Sequence, residues 1–345
     1  MTIPQASRFH SRLSRLIAIL AVVVIGGQFA QSNARAQVAW DPSKVVGPTK
    51  CGECHKDTLA YWRNTTHFKS FTALTHSKKG RTIAKKMGLK RIKAGSLCLD
   101  CHFTTMMQGD KKTPVSGISC ESCHGPGKGY IKRHSEFSGK KKQTESKAEQ
   151  DKRWADSVAA GMNRPRDMYA WASNCYSCHI VPQEKLVNDG GHRAGSEFEL
   201  VAWSQGEVRH NVWYNNGKDN PEASENQRRL MYVVGASIEL ETSLRAVGKA
   251  SQKADYAITM AKRASRARKR IAKIAKALSE PEFGAIYQAA KRAKLKLNNN
   301  AELSAAADKI SELTKKIVKT YDGSSFAAID AMIPGPEKYK GKATK

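Results

Sequence analysis

The chain has 345 residues, enough for one large domain or for two domains of ordinary size. Only 7% of the residues are aromatic, and 40% are hydrophobic. The formal net charge of +28 predicts attraction to acidic partners and by itself excludes little else.

The N-terminus has the pattern of a secretory signal peptide. Three arginines precede an apolar run over residues 16–25. Ala34 and Ala36 are small residues at the two positions that a signal peptidase recognises. We therefore predict that residues 1–36 are removed, which lowers the formal charge from +28 to +24. A retained membrane anchor is the alternative, but a spanning helix needs about 20 apolar residues. No later segment is apolar for long enough to span a membrane, so we expect a soluble, exported protein.

The eight cysteines form four pairs with two residues between the members of each pair, and a histidine follows every pair directly. The four motifs are Cys51/Cys54/His55, Cys98/Cys101/His102, Cys120/Cys123/His124 and Cys175/Cys178/His179. C-x-x-C-H is the attachment signature of c-type haem, in which two thiols bind the porphyrin covalently and the histidine is the proximal iron ligand. The sequence therefore predicts four covalently bound haems c and uses every cysteine for them.

Three other roles for such cysteines explain the pattern less well. Structural zinc sites also use C-x-x-C pairs, but zinc does not require a histidine directly after every second cysteine. A thioredoxin-like redox site needs one motif rather than four. Disulfides suit an exported protein, yet they impose neither this spacing nor this histidine.

The sixth iron ligand separates electron carriers from sites that bind small molecules. Outside the signal peptide and the motifs, the chain contains five histidines: His67, His76, His134, His192 and His210. The methionines Met87, Met106, Met107, Met162 and Met168 are further candidates, although each is more simply a core or surface residue. Five histidines for four irons favour bis-histidine ligation of most haems, which suits electron transfer.

Two runs of the sequence resemble the cytochrome c-554 family. One begins with the first motif and continues through Trp62 to His67. The other is the Cys-Glu-Ser-Cys-His-Gly-Pro-Gly run from Cys120, with His134 ten residues beyond the haem histidine. The resemblance covers roughly residues 45–212 and implies a periplasmic tetrahaem electron carrier, best known for accepting electrons from hydroxylamine oxidation.

The resemblance also implies a set of distal ligands. His67 would lie opposite His124, and His134 would lie opposite His179. The haem of His55 would take a histidine far downstream, for which His210 is favoured over His192.

The haem of His102 would then lack a strong distal ligand, as one five-coordinate haem is the family pattern. His76 and His192 are left unassigned by this comparison, and either of them could be the sixth ligand of that haem iron.

The sequence predicts a mainly α protein with two regions after the signal peptide. Residues 37–217 hold the four motifs in irregular sequence, which predicts a tetrahaem domain with little sheet and short helices over residues 82–93 and 154–161. The run 139–152 is polar and is predicted to be a solvated loop or helix end. The second and third motifs are nearest in sequence, which predicts neighbouring haems.

Residues 218–345 are predicted to form a basic α-helical region of three or four antiparallel helices, because apolar residues recur there with helical spacing. Helix breaks are expected at residues 279–281 and 298–300. Residues 262–276 contain eight Lys or Arg and no acidic residue. This run is either a solvated helix face or a docking face for an acidic redox partner or anionic lipid headgroups. Nucleic acid is not an expected partner of an exported haem protein.

Two functions therefore remain open. The favoured one is a periplasmic carrier that moves electrons between redox proteins and has no substrate of its own, in nitrogen-compound or respiratory redox metabolism. The alternative is a reductase or oxidase that acts on a small nitrogen species at an open iron, that of His102. The sequence leaves open whether the chain is an enzyme, and no catalytic residue is predicted.

Overall fold

Short helices and one hairpin make up the part of the chain that carries the four motifs. The structure is a computed structural model that describes Met1, residues 40–94 and residues 97–344, so the predicted signal peptide lies outside the described residues. The elements of this part are α1 Pro48–Gly52, α2 Lys56–Arg63, α3 Thr66–His76, α4 Lys78–Lys86, α5 Leu99–His102, β1 Thr104–Gln108, β2 Lys111–Ser116, α6 Cys120–His124, α7 Lys147–Ala159, α8 Met168–His179, α9 Glu184–Asn188 and α10 Leu200–Ser204. Short 3₁₀ turns lie between them, at Pro42–Lys44, Gly127–Gly129, Arg133–Ser135, Phe137–Gly139 and Trp213–Asn215.

The capping residues explain where several of these helices begin. Ser146 caps α7 in a capping box with Glu149, so this helix begins well before the predicted residue 154. Ser77 caps α4 through the amide of Gly80, and the helix ends at Lys86 just before Gly88, which has a φ of 71°. The helix predicted over residues 82–93 therefore begins and ends earlier than expected.

Four longer helices follow. They are α11 Glu225–Lys249, α12 Asp255–Ala277, α13 Pro281–Arg292 and α14 Asn300–Thr320, with 3₁₀ segments at Ser324–Met332 and Pro336–Lys338. Helix α11 lies at the centre of this bundle and packs most extensively against α14 and α12. The predicted breaks at residues 279–281 and 298–300 are confirmed, and so is the mainly α fold, whose only sheet in the described residues is β1–β2.

The main hydrophobic core joins the bundle to the last motif. Helix α8 ends with the fourth motif, and its buried residues Tyr169, Ala172 and Tyr176 belong to the same cluster as the inner faces of α11, α12 and α14. Chain contacts group residues 36–345 into one compact unit. A second and much smaller cluster, around Leu99 and Phe103, lies beside the second motif. No helix in the described residues is long and apolar enough to cross a membrane.

Candidate haem sites

Each C-x-x-C-H motif lies on a helical turn. His55 N donates to Cys51 O at 3.0 Å, and His102 N donates to Cys98 O at 3.1 Å, which is the i to i−4 bond of an α-helix. The third motif forms helix α6, and the fourth is the last turn of α8. Residues three and four apart lie on one side of a helix, so each motif presents two thiols and one imidazole together.

Cys54 differs from the seven other motif cysteines. Cys54 is exposed, whereas the other seven are half-buried. The physical reason is its place in the chain: α1 ends at Gly52, so Cys54 lies in the turn before α2, while Cys51 meets the third motif at the Cys120 thiol. Haem attachment through Cys54 stays a prediction, with this thiol at the surface rather than in the interior.

The structure brings each motif histidine opposite a second histidine. We name these pairs by motif: the first pair is His55 and His134, the second His102 and His192, the third His124 and His210, and the fourth His179 and His67. Their ring centroids are 6.2, 6.3, 6.3 and 6.2 Å apart, in that order. The angles between the ring planes are 18°, 57°, 86° and 53°.

These separations fit a haem iron between the two rings. A metal–imidazole bond is about 2 Å long and the ring centre lies about 1 Å further, so two axial imidazoles have centres about 6 Å apart. No three His, Cys, Asp or Glu side chains among the described residues are grouped to hold a metal ion. Each pair could therefore hold the iron of one haem through two imidazole nitrogens.

The motif histidines are held in the neutral form that binds a metal. Burial, followed by the facing His192, lowers the pKa of His102 to about 4, and burial, followed by the facing His210, lowers that of His124 to about 4. Burial, followed by the neighbouring His67 and Arg263, lowers the pKa of His179 to about 3. Burial also lowers the pKa of His55 and of His67.

The thiols show which motifs are neighbours. Contact with the Cys120 thiol and burial raise the pKa of Cys51, and contact with the Cys178 thiol and burial raise that of Cys101. The first motif therefore lies against the third, and the second lies against the fourth. Helix α6 also packs on α8, which brings the third and fourth motifs together. The closeness of the second and third haems stays a prediction, and Thr104, two residues after His102, lies 2.8 Å from the Ser122 hydroxyl inside the third motif.

The distal residue His67 is placed by the second family-like run. Trp62 Nε1 donates to Ile118 O at 2.7 Å, and Ile118 N donates to His67 O at 3.0 Å. Gly117 lies so close that a Cβ there would be 2.2 Å from His67 O, so only glycine fits. Thr65 caps helix α3 and fixes the direction in which His67 leaves its first turn.

His134 is held by a buried ion pair. Arg153 donates to both carboxylate oxygens of Glu145 at 2.7 Å, and its third nitrogen donates to His134 O at 2.5 Å. The Arg153 side chain is 2% exposed and that of Glu145 is 1% exposed. The Arg153 guanidinium also lies 4.5 Å from the ring centre of Trp154, so it is fixed from several sides.

His192 and His210 lie in loops that are held by hydrogen bonds to other parts of the chain. His192 N donates to Leu186 O at 3.1 Å, directly after two glycines. His210 follows Glu207, whose N–H donates to Lys340 O at 2.9 Å. The C-terminal tail therefore supports the segment that carries one distal histidine.

The surroundings of His179 differ from those of the other motif histidines. Its Nδ1 lies 2.9 Å from Ser196 Oγ, whereas His124 Nδ1 lies 3.2 Å from a backbone oxygen, Asn163 O. The Phe198 ring stacks on the His179 imidazole at 4.4 Å, and Trp203 meets it edge-on at 4.8 Å. Hydrogen bonds of this kind set the orientation and basicity of a metal-bound imidazole.

The carboxylate of Glu121, inside the third motif, forms hydrogen bonds to the backbone of residues 46–47. Glu121 is fully buried, and its oxygens accept from the backbone N–H groups of Val46, Gly47 and Gly127 at 2.9, 2.8 and 2.7 Å. This contact explains the glutamate and the second glycine of the Cys-Glu-Ser-Cys-His-Gly-Pro-Gly run. The sequence marked the run as distinctive but did not reveal this role.

The histidine pairing differs from the one that the family resemblance implied. His67 faces His179 rather than His124, His134 faces His55 rather than His179, and His210 faces His124 rather than His55. His192 faces His102, the position expected to lack a distal ligand. His192 and His210 are thus not alternatives, since each lies in a different pair.

The remaining histidine and the candidate methionines lie elsewhere. His76 ends helix α3, and its Nδ1 is 2.9 Å from Thr72 O. Met168 is buried in the main core, and Met87 packs against it. Each motif histidine faces another histidine and not a methionine.

Two comparisons with known proteins identify relatives of this chain. Residues 50–125 match the family described as cytochrome c554 and c-prime. Cytochrome c-554 of Nitrosomonas europaea is a curated relative, 29% identical over 126 residues, which are 34% of this chain and 53% of that protein. The chain thus spans about half the length of that relative, and no solved structure matches it. The resemblance to the cytochrome c-554 family is confirmed.

Proposed function

We propose that this chain is an exported, periplasmic cytochrome that holds four haems c and passes electrons between redox proteins. The eight motif cysteines would attach the haems, and the four histidine pairs would hold the irons. Residues 1–36 would be the cleaved signal peptide, residues 37–217 the tetrahaem domain and residues 218–345 a basic helical region. Nitrogen-compound or respiratory metabolism would supply the partners.

The observation that carries this proposal is that all four motif histidines face a second histidine at 6.2 to 6.3 Å. A haem bound between such rings supplies an iron that changes between the ferric and ferrous states. Two imidazoles from such a pair would keep the iron six-coordinate in both states, so little would rearrange when an electron arrives. The chain's part is to hold the eight imidazoles and exclude other ligands.

The alternative function needs an open iron at the second motif. His192 faces His102 there, and the Gly190–Gly191 segment before it lies in contact with Met87 and Lys86. A small nitrogen species would have to displace this imidazole before it could bind. The electron carrier is therefore the function that the geometry supports better.

The neighbouring motifs support internal electron transfer. Contacts join the first motif to the third, the third to the fourth, and the fourth to the second. Each motif therefore has at least one neighbour, and an electron that enters at one would have a route to all four.

The test of this function is spectroscopic. Mass spectrometry and the pyridine haemochrome assay should find four covalent haems on a chain that begins at Gln37. The ferric protein should give only low-spin EPR signals and should not bind nitric oxide. A high-spin fraction near one quarter that binds nitric oxide would contradict the carrier and favour the open-site enzyme.

We also propose that helix α12 docks an acidic surface of a redox partner. Five of its cations form one exposed stripe, and none of them makes an ion pair with another described residue: Lys262, Arg266, Lys269, Lys273 and Lys276. Their alternating spacing of four and three residues keeps them on one face, about 20 Å long. Some other surface cations are paired, for example Lys147 with Asp151 and Lys309 with Glu312. An unpaired stripe of one sign favours steering of an oppositely charged partner.

The docking proposal can be tested with a small anionic reductant, Fe(II)–EDTA. Exchange of four stripe cations for glutamine should weaken the salt dependence of the reduction rate more than the same exchange on helix α14. The stripe set is Arg266, Lys269, Lys273 and Lys276, and the control set is Lys309, Lys315, Lys316 and Lys319. Equal effects would show that only net charge matters. Binding to phosphatidylglycerol vesicles that the stripe exchange abolishes would instead assign this face to a membrane.

A further inference from the structure

One arginine of the basic helix α12 does not belong to the exposed stripe. Arg263 is 4% exposed and points into the interface between the bundle and the fourth motif. Its Nη1 donates to Ser196 O at 2.7 Å. The neighbouring atoms of Ser196 hold His179, since Ser196 N donates to His179 O at 3.0 Å and Ser196 Oγ lies 2.9 Å from His179 Nδ1. Ser196 thus lies between Arg263 and His179, the proposed proximal iron ligand.

The charge of Arg263 is embedded in a small buried cluster. Its Nε lies 3.2 Å from Glu239 Oε1, and the other oxygen of Glu239 accepts from Arg270 at 2.9 Å. Glu239 is 6% exposed and lies between the two guanidinium groups, of which Arg263 is buried and Arg270 is 32% exposed. A further carboxylate, Glu199, accepts the N–H of Ala202 at 2.6 Å, and burial raises its pKa. Charges act over longer distances in such an interior than they do in water.

We propose that the Arg263–Glu239 pair of the C-terminal helices is a positioning and electrostatic device for the haem of the fourth motif. Arg263 holds the Ser196 segment on His179, and its charge stabilises the reduced haem, which carries one positive charge fewer than the oxidised haem. The helical region thereby sets the reduction potential of one haem of the four. This inference rests on the proposed function, because it needs a haem at the fourth motif.

Two other proximal histidines have different surroundings. Trp213 lies against His55 and a backbone oxygen lies against His124, and among the described contacts no charged side chain of the bundle touches either imidazole. The effect should therefore be confined to one potential. Such selectivity would order the potentials of otherwise similar bis-histidine haems, which is what directs electrons along a series of centres.

The experiment is a redox titration of the complete four-haem protein, followed by visible and EPR spectra. Arg263→Met should lower one midpoint potential, Arg263→Lys should leave it close to the unmodified protein, and Glu239→Gln should raise it. The transition of the fourth haem is identified by His67→Met, which changes its distal ligand. Arg268→Met is the matched control, because Arg268 lies on the same helix but donates to Ala293 O, and all four potentials should stay unchanged.

Opposite shifts from the two members of one ion pair are the signature of an electrostatic role. Loosened packing would move the potential in the same direction in both variants, and that result would overturn the proposal, as would four unchanged potentials. If Arg263→Met does not fold, Arg263→Gln takes its place and should lower the same midpoint potential. Fewer than four haems in the unmodified protein would instead mean that the proposed function fails.

Discussion

Helix α11 passes the fourth motif at contact distance, and Gly235 makes this approach possible. A Cβ at Gly235 would lie 2.8 Å from Leu200 Cβ and 3.3 Å from the Tyr176 hydroxyl. Leu200 begins helix α10, and Tyr176 lies between the two cysteines of the fourth motif. Gly235→Ala should therefore force the bundle away from this motif.

The magnitude follows from two opposing effects. Alanine in place of glycine within a helix stabilises by about 0.5–1 kcal/mol. An extra methyl group in a filled interior costs about 1–3 kcal/mol, because the Leu200 Cβ cannot rotate away. Gly284, in helix α13, has nothing within 4 Å of its Cβ position and so shows the first effect alone. We expect Gly235→Ala to be about 1–3 kcal/mol less stable than Gly284→Ala.

The assay is guanidinium chloride unfolding of both variants, followed by far-UV circular dichroism for the helices and by the Soret band for the haem environment. Gly284→Ala should shift the midpoint upwards, whereas Gly235→Ala should leave it unchanged or lower it. The Soret band should be perturbed only in Gly235→Ala. Equal stabilisation of both variants would refute the close contact between α11 and the fourth motif.

Three further predictions concern the haem sites. His192→Ala should convert one low-spin haem to a high-spin haem that binds nitric oxide, and an unchanged EPR spectrum would remove His192 from the second pair. The first pair, with planes at 18°, should give a rhombic low-spin EPR signal, whereas the third pair, at 86°, should give a single feature at large g; four identical signals would contradict these ring orientations. Glu121→Gln should lower the free energy of unfolding by about 1–3 kcal/mol, because an amide has one acceptor oxygen for three buried N–H donors. The exposed Glu53→Gln is its control, and an equal effect in both variants would mean that the Glu121 bonds do not stabilise the fold.

Local signals in the sequence were sufficient for much of the secondary structure. The helix stop near Pro281 and the break at Asn298 to Asn300 depend on residues that disfavour a helix or favour a turn, and both lie where they were expected. The starts of α4 and α7 were missed. Ser77 and Ser146 cap those helices, and a serine caps a helix only when the following chain adopts the geometry.

The distal ligands could not be derived in the same way. A proximal histidine directly follows its second cysteine and is four residues from the first, so one helical turn brings all three side chains together. The distal partner of His179 is His67, more than one hundred residues earlier in the chain. Which histidines meet depends on how Trp62, Gly117 and Ile118 pack, and spacing alone carries no information about that packing.

The sequence by itself was sufficient to predict haem attachment at four C-x-x-C-H motifs, because both thiols and the imidazole need only one turn of helix. Only the tertiary structure decided which histidine stands opposite each motif, including His192 opposite His102, and which thiol, that of Cys54, lies at the surface. It also placed Arg263 in contact with Ser196, the residue whose hydroxyl lies against His179. These relations depend on residues far apart in the chain, and such contacts follow from the packing of whole helices rather than from any local pattern.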